Sequence, residues 1–342
     1  MENSAPAVLI LAAGKGTRMK SSKAKVLHPL MGRPLIEHGL NAALYLNPDR
    51  LVVVTGFGAE EVEADVAAFI SSLTTRPGRE SLPAPLFARQ HEQLGTGHAV
   101  AMAREALADY PGPILIMAGD VPLISPNTLD GFLKAHQNLG ADLSVLTVTL
   151  EEPAAYGRII RDEQGWLEKI VEFRDADESQ RRIGEINSGL YLAEAGPLFE
   201  AIARLTPEND QKEYYLTDVV ADFRARGLKA AAVEIPGDLA FEVQGINDRY
   251  ELASAQAIVK DRINASWMRA GVTMMDPLTT LIETSVRLAP DVTLWPGVVL
   301  TGRTVVGAGA EIGPFCHLHN CRVAEGAKVP GHQSGADVDY PA

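Results

Sequence analysis

Residues 8–27 read V-L-I-L-A-A-G-K-G-T-R-M-K-S-S-K-A-K-V-L, and the organisation of the chain follows from them. Val8 to Leu11 form a short, fully apolar run, which is the signature of a strand covered on both faces. The glycine loop follows at once, so it lies at the carboxyl edge of a sheet, where open α/β folds bind ligands. Gly14 and Gly16 let backbone N–H groups approach a phosphate without side-chain obstruction. Lys15, Arg18, Lys20, Lys23 and Lys25 place five cations within eleven residues. The stretch reads as a polyphosphate site. It is neither of two common phosphate motifs: Met19 stands where a dinucleotide fingerprint needs its third glycine, and the G-K-[ST] of a P-loop is absent.

Outward from this loop the first 150 residues repeat the rhythm. Apolar runs at 51–54, 113–117 and 143–148 alternate with helical spacing over Leu35–Leu46, Ala59–Leu73, Gly97–Ala108 and Ser125–Gly140. The pattern predicts an α/β, Rossmann-like, mostly parallel sheet over residues 1–249. Arg76–Pro85, with three prolines, reads as a surface loop. Residues 156–173 read as a β-hairpin laid over the sheet as a substrate lid, and a further strand is expected near Glu185–Leu192. Tyr250–Ala270 reads as a connecting helix ending at Gly271.

Beyond it Leu288, Leu294, Leu300, Val306, Ile312 and Leu318 recur every six residues, and Val292, Val298, Thr304, Ala310 and Cys316 follow in a second frame of small or β-branched residues. Hexads of this kind predict a short parallel β-helix over 271–330, with 331–342 a flexible tail. C-H-L-H-N-C at 316–321 invites a zinc reading, but alternation sends His317 and His319 outward from the frames that hold Cys316 and Leu318.

The 342 residues suit two domains, and 46% apolar with 22% charged residues excludes disorder, collagen and coiled coil. A formal charge of −13 argues against nucleic-acid or anionic-membrane partners, so an anionic ligand must be held by local cations. Two cysteines, no cationic leader before the first apolar run and no long uncharged apolar stretch make the cytoplasm the expected compartment.

G-K-G-T-R at 14–18 followed by Lys25 resembles the signature of sugar-phosphate nucleotidyltransferases. K-V-L-H at 25–28, E-Q-L-G-T-G-H-A at 92–99, G-D-V-P-L-I-S at 119–125, Y-G-R-I at 156–159, E-I-N-S-G at 185–189 and E-Y-Y-L-T-D at 213–218 narrow the likeness. It is to the uridyltransferase half of the bifunctional N-acetylglucosamine-1-phosphate uridyltransferase and glucosamine-1-phosphate acetyltransferase family. That resemblance implies uridylyl transfer from UTP to N-acetylglucosamine 1-phosphate, a left-handed β-helix and a homotrimer formed through it.

Carried over residue by residue, Arg18 holds the triphosphate and Lys25 the α-phosphate or the attacking phosphate. Leu11, Ala12, Ala13, Gly14 and Gly16 supply backbone around the nucleotide. Gln90 and Gly95 meet the uracil edge, with Thr96 near the sugar. Asp120 and Asn247, the latter in V-Q-G-I-N, are implied ligands of Mg²⁺. Taken alone, an aspartate after a strand serves equally as a helix cap. Ala118, Gly119, Gly157, Glu172, Asn187 and Asn247 are implied sugar contacts.

Ala24 stands where the family has proline, a mild departure, and Ala118 where it has tyrosine, which removes an aromatic beside the sugar. Another sugar phosphate or nucleotide is an alternative, as is a non-catalytic sugar-nucleotide-binding homologue, against which the retention of Arg18, Lys25, Asp120 and Asn247 argues. The hexads span two to three coils before the polar segment at 331–342, so acetyl transfer, which the family places far along its β-helix, is expected to be absent. His28 and His98 read as structural, because a phosphate nucleophile needs no general base. Tyr214 and Tyr215 read as packing residues.

Overall fold

The computed structural model describes residues 5–75, 77–79, 81–107 and 109–342. Two compact units emerge: residues 5–28 with 35–247, and residues 29–34 with 248–342.

The first unit is built on one sheet. Its strands are β1 (Ala7–Ala12), β2 (Arg50–Thr55), β3 (Pro85–Arg89), β4 (Pro113–Ala118), β5 (Leu143–Thr149), β6 (Arg158–Arg161), β7 (Leu167–Val171), β8 (Glu185–Glu194) and β9 (Ala230–Glu234). Their spatial order is β9-β5-β8-β4-β1-β2-β3. β1 pairs in parallel with β2 and β4, β2 with β3, and β5 with β9, whereas β8 runs antiparallel between β4 and β5. The apolar runs in β1, β2 and β4 are buried, save for a half-buried Leu11 near the end of β1, because helices cover both faces, and two separate apolar clusters lie above and below the sheet. Chain order reverses direction at β1, whose neighbours β2 and β4 lie on opposite sides. A crevice opens at that switch point, outside the carboxyl ends of the strands.

The expected helices form with readable ends. Pro126–Leu139 starts at Ser125, whose hydroxyl accepts from the Thr128 N–H, and stops at Gly140 in the left-handed region. Leu35–Ala43 closes in a 3₁₀ turn at Leu44–Leu46, and Ala59–Thr74 is a single helix. Thr96–Met102 and Arg104–Leu107 share the segment read as one helix; its end at Ala108, and Arg76 and Glu80 of the proline-rich loop, lie outside the described residues.

The β6–β7 hairpin is not laid over the sheet. Arg158 of β6 pairs with Ile186 of β8, so the hairpin extends the first half of a ten-residue strand whose register shifts between Asn187 and Tyr191. Both halves of β8 pair with β5 across this bulge, while the other edge of β8 takes β6 at Ile186 and β4 from Tyr191 onward.

The second unit contains three parallel sheets, each of four two- or three-residue strands stacked coil upon coil. Pairings such as Leu281↔Val299 and Val299↔His317 advance 18 residues per coil. Both hexad frames point inward: Leu294, Leu300, Ile312, Leu318, Val292, Val298, Thr304, Ala310 and Cys316 are buried. Helix Arg249–Arg269 lays Ile263 and Trp267 on this core, and its buried Asn264 donates to the carbonyls of Pro277 and Thr280 at 3.0 Å each. A hairpin from far upstream, Pro29–Leu30 with Arg33–Pro34, joins this unit: the Thr284 N–H donates to the Met31 carbonyl at 3.2 Å.

The segment expected to be a tail forms strands instead. Ser334–Ala336 pairs with His317–His319, and Asp339–Tyr340 with Arg322–Val323. The strict six-residue frame hides this, because coil length drops after His319: Val305 pairs with Arg322, 17 residues on. Gly335 takes an inward position where the Tyr340 hydroxyl would meet any Cβ. Cys316 and Cys321 are buried, and His317 and His319 are exposed. No helix among the described residues is long and apolar enough to cross a membrane.

Candidate active site

At the carboxyl edge of β1 the chain turns through Ala13 and Gly14 into a loop of two short 3₁₀ turns, Thr17–Met19 and Lys25–Leu27. Gly16 holds φ at +61°, and a Cβ there would lie 2.5 Å from the Lys25 Cβ. The glycine therefore serves a close approach as well as a turn, since it lets Lys25 fold back across the loop. The neighbouring edge loop fits as tightly: a Cβ at Gly56 would lie 2.7 Å from the Ala13 carbonyl, which accepts from the Phe57 N–H at 3.2 Å.

Lys25 Nζ forms a short ion pair with Asp120 Oδ2 and donates to Asn247 Oδ1 at 3.2 Å. Arg18 Nη2 donates to the same Asn247 oxygen at 2.8 Å. Two side-chain oxygens from distant segments thus converge with two cations of the loop. Backbone bonds lock the arrangement: the Gly119 N–H donates to the Leu11 carbonyl at 2.9 Å, and the Ile246 N–H to the Asp120 carbonyl at 2.9 Å. Lys25 and Asp120 keep 15% side-chain exposure each, which leaves them open to a ligand.

Beside them lies a cleft of about 260 Å³ that Leu11, Ala12, Ala13, Gly14, Lys25 and Val26 line on one side and Gln90, Gly95, Thr96, Ala118 and Asp120 on the other. Gln93, Ala99 and Glu213 also line it. Gly95 adopts φ +107°, and a Cβ there would meet the Tyr214 carbonyl at 2.6 Å. Tyr214 straps the segment down, its N–H donating to Leu94 O at 2.8 Å and its carbonyl accepting from Gly97 N–H at 2.7 Å. Thr96 Oγ1 accepts from the Leu216 N–H at 3.1 Å.

Gly157, Glu172 and Asn187 gather in a second group that does not line this cleft. The Asn187 N–H donates to Gly157 O at 2.9 Å, and a Cβ on Gly157 would sit 3.5 Å from Glu172 Oε2. Asn187 Nδ2 donates to the Tyr191 hydroxyl at 2.9 Å, and Thr217 Oγ1 to Glu172 Oε1 at 3.3 Å. Burial pushes the Glu172 carboxyl above its ordinary value, against the Thr217 hydrogen bond and reinforced by Asp175 and Asp218. Burial likewise raises Asp218 and Tyr191.

Of the residues expected from sequence, Leu11 to Gly14, Lys25, Gln90, Gly95, Thr96, Ala118 and Asp120 line one cleft, and Arg18 and Asn247 join it through hydrogen bonds. Gly16 and Gly119 act behind the wall: a Cβ on Gly119 would crowd Val26, Ile10 and Ala12 at 3.3 to 3.5 Å. Gln93, Glu213, Tyr191 and Thr217 were not anticipated as individual residues, although E-Y-Y-L-T-D at 213–218 pointed to their neighbourhood.

Asp120 and Asn247 present hard oxygens that already converge on the Lys25 ammonium, so the pair suits a divalent cation with two protein ligands and the rest from water and phosphate. No group of three His, Cys, Asp or Glu side chains placed to hold a metal occurs among the described residues.

A glycine- and cation-rich loop and an oxygen pair stand at the switch point of an α/β sheet, and residues 8–213 match the MobA-like NTP transferase domain family, which makes the chain a nucleotidyl-transferring enzyme. The chain is 45% identical over 95% of its length to the bifunctional protein GlmU of a Thermus thermophilus strain, of which it covers 67%. It is 44% identical to the bifunctional protein GlmU of Cutibacterium acnes, with 94% of this chain and 75% of that protein aligned. The chain belongs to the GlmU family of sugar-1-phosphate nucleotidyltransferases. Its fold also matches a UDP-glucose pyrophosphorylase crystallised with UDP-glucose, at a TM-score of 0.60 and 19% identity, covering 75% of this chain and 99% of that one.

Proposed function

We propose that this chain transfers a uridylyl group from UTP to N-acetylglucosamine 1-phosphate, giving UDP-N-acetylglucosamine and pyrophosphate. A phosphate oxygen of the sugar phosphate attacks the α-phosphorus of UTP. The new P–O bond forms as the bond to the bridging oxygen of the β-phosphate breaks, and its electron pair leaves with pyrophosphate. The nucleophile is already an anion, so no base has to deprotonate it. The task of the site is to bring two anions together and to stabilise charge that builds on the transferring group.

The observation that carries this reading is the convergence of Lys25 and Arg18 with Asp120 and Asn247 beside the cleft. In this reading Lys25, folded back over Gly16, holds the α-phosphate or the attacking phosphate, and Arg18 the triphosphate. Leu11 to Gly14 surround the nucleotide, and Gln90 and Gly95 meet the base. Thr96 and Ala118 lie where nucleotide and sugar meet, and Gly157, Glu172 and Asn187 hold the hydroxyl and acetamido groups of the sugar. Asp120 and Asn247 would hold Mg²⁺, which would neutralise part of the charge on the phosphates.

The deciding assay is pyrophosphate release across a matrix of nucleoside triphosphates and sugar 1-phosphates. UTP with N-acetylglucosamine 1-phosphate is expected to be fastest, and a different best pair overturns the substrate assignment. In a magnesium titration, Asp120→Asn is expected to raise the half-saturating concentration and collapse the maximal rate; unchanged values would remove Asp120 from the metal site.

We also propose that the chain works in the cytoplasm as a homotrimer joined through its β-helix, where Trp295, Val305 and Phe315 stand exposed on the coils. Light scattering at the mass of one 36.7 kDa chain would count against association.

A further inference from the structure

Gln90 is 5% exposed and lines the cleft, and the orientation of its amide can be deduced from its neighbours. One amide atom lies 3.0 Å from the Gly95 carbonyl. A carbonyl oxygen only accepts, so that atom is Nε2. The same Nε2 lies 3.0 Å from His98 Nδ1. For this to be a hydrogen bond, Nδ1 must carry the lone pair, and His98 is the tautomer protonated at Nε2. Both amide hydrogens are then engaged. The only polar atom of the Gln90 side chain left for a ligand is Oε1, and it can only accept.

We propose that His98 sets the base specificity of the cleft by holding the Gln90 amide in this orientation. The inference rests on uridylyl transfer as proposed above and on Gln90 meeting the base. Uracil presents an N3–H donor on its pairing edge, which Oε1 can accept. Cytosine presents a lone pair at N3, which would face another lone pair. If the amide could turn over, it would offer cytosine an N–H, and the discrimination would fall. His98 and Gly95 prevent the turn together, but the Gly95 carbonyl belongs to a backbone segment strapped by Tyr214 and is fixed whatever the side chains. The imidazole is the element that substitution can remove. His98 is therefore a positioning residue that acts through Gln90, a role distinct from proton transfer.

The test is the ratio of kcat/KM for UTP to that for CTP, with N-acetylglucosamine 1-phosphate as acceptor. His98→Leu fills the space without an acceptor and is expected to lower the ratio about tenfold, the worth of one hydrogen bond of ordinary strength. His98→Asn keeps an acceptor, Oδ1, at the same number of bonds from the backbone and is expected to retain most of the ratio. 5-Methyl-UTP, which keeps N3–H, is expected to follow UTP in every variant. In a Gln90→Ala background, His98→Leu is expected to leave the ratio unchanged, because the amide it orients is gone.

Equal losses with UTP and CTP in folded His98→Leu, leaving the ratio intact, would overturn the role of His98 while the parent preference for UTP stands. A ratio lost equally in His98→Asn and His98→Leu would also overturn it. A parent chain that turns over no UTP removes the uridylyl reading and this assignment with it.

Discussion

Lys25 makes contact with Asp120 and Asn247 at once, and its ammonium takes the place between their oxygens that a divalent cation would compete for. On the proposed function, replacing it with alanine removes a preorganised charge from the transferring phosphate, and turnover is expected to fall about a hundredfold with thermal stability nearly unchanged. The same Lys25→Ala variant is expected to bind Mn²⁺ more tightly without nucleotide, measured by calorimetry, because no ammonium opposes the ion. Gly16→Ala reaches the same lysine by another route. A Cβ at φ +61° is strained, and it would push into the Lys25 side chain at 2.5 Å. Loss of activity exceeding loss of stability is the expected pattern, checked by kcat beside a melting curve.

Glu172 adds a pH dependence whose sign is fixed. Its native carboxyl is raised, chiefly by burial, so the folded chain holds that proton more tightly than the unfolded chain. The stability it contributes is full below the ordinary carboxylate value of about 4.3 and is lost as pH rises through the raised native value. Glu172→Gln is therefore expected to flatten the fall of stability with rising pH above about 4.3, read from denaturation midpoints. Its KM for the sugar phosphate should rise more than its kcat falls.

Among the elements, the coils show what a fixed period conveys and what it misses. Inward positions repeat every six residues as far as Leu318, and all of them could be read from the sequence because each strand buries the same phase. The shortened coil after His319 breaks that phase, and the two strands beyond residue 330, Ser334–Ala336 and Asp339–Tyr340, become illegible although their backbones pair as before. Thr304 absorbs the irregularity: its buried hydroxyl donates to Thr301 O at 2.7 Å and accepts from the Cys321 N–H at 3.1 Å, where the residue is dropped. Thr304→Val keeps the shape but leaves that N–H without an acceptor, which is expected to cost about 1–3 kcal/mol in denaturant titration of the second unit.

The hairpin of β6 and β7 was legible as two strands and a turn. Its attachment to β8 was not, because a bulge is a property of pairing and leaves little mark on composition. That the glycine loop and the strand ends come together at one cleft was legible, because glycines and cations directly after an apolar strand mark the carboxyl edge of a sheet. The two hydrogen bonds on Gln90 were not, since they join side chains whose identities carry no pattern.

At the scale of the whole molecule, the two units have separate apolar cores, and calorimetry is expected to resolve more than one transition. On the proposed function UTP with Mg²⁺ would bind residues of the first unit alone, so it is expected to raise the transition of that unit and leave the other in place. A uniform shift of all transitions would show the units to unfold as one. The acidic surface, at a formal −13, makes binding of the anionic substrates depend on the few loop cations, and KM for UTP is expected to rise steeply with salt.

The hairpin at Pro29–Pro34 makes the order of synthesis matter. Met31 and its hydrogen-bond partner Thr284 are 253 positions apart. At about 5–20 residues per second, a ribosome needs on the order of 13–50 s to deliver the second after the first. From residue 234 to residue 284 the growing chain carries all the strands of the sheet together with an apolar loop, buried at Leu30 and Met31 in the complete protein, whose contacts with the later coils are not yet made. A nascent chain stalled before residue 284 should therefore be an unusually good client for chaperones that recognise exposed apolar segments, and release to completion should end that association abruptly.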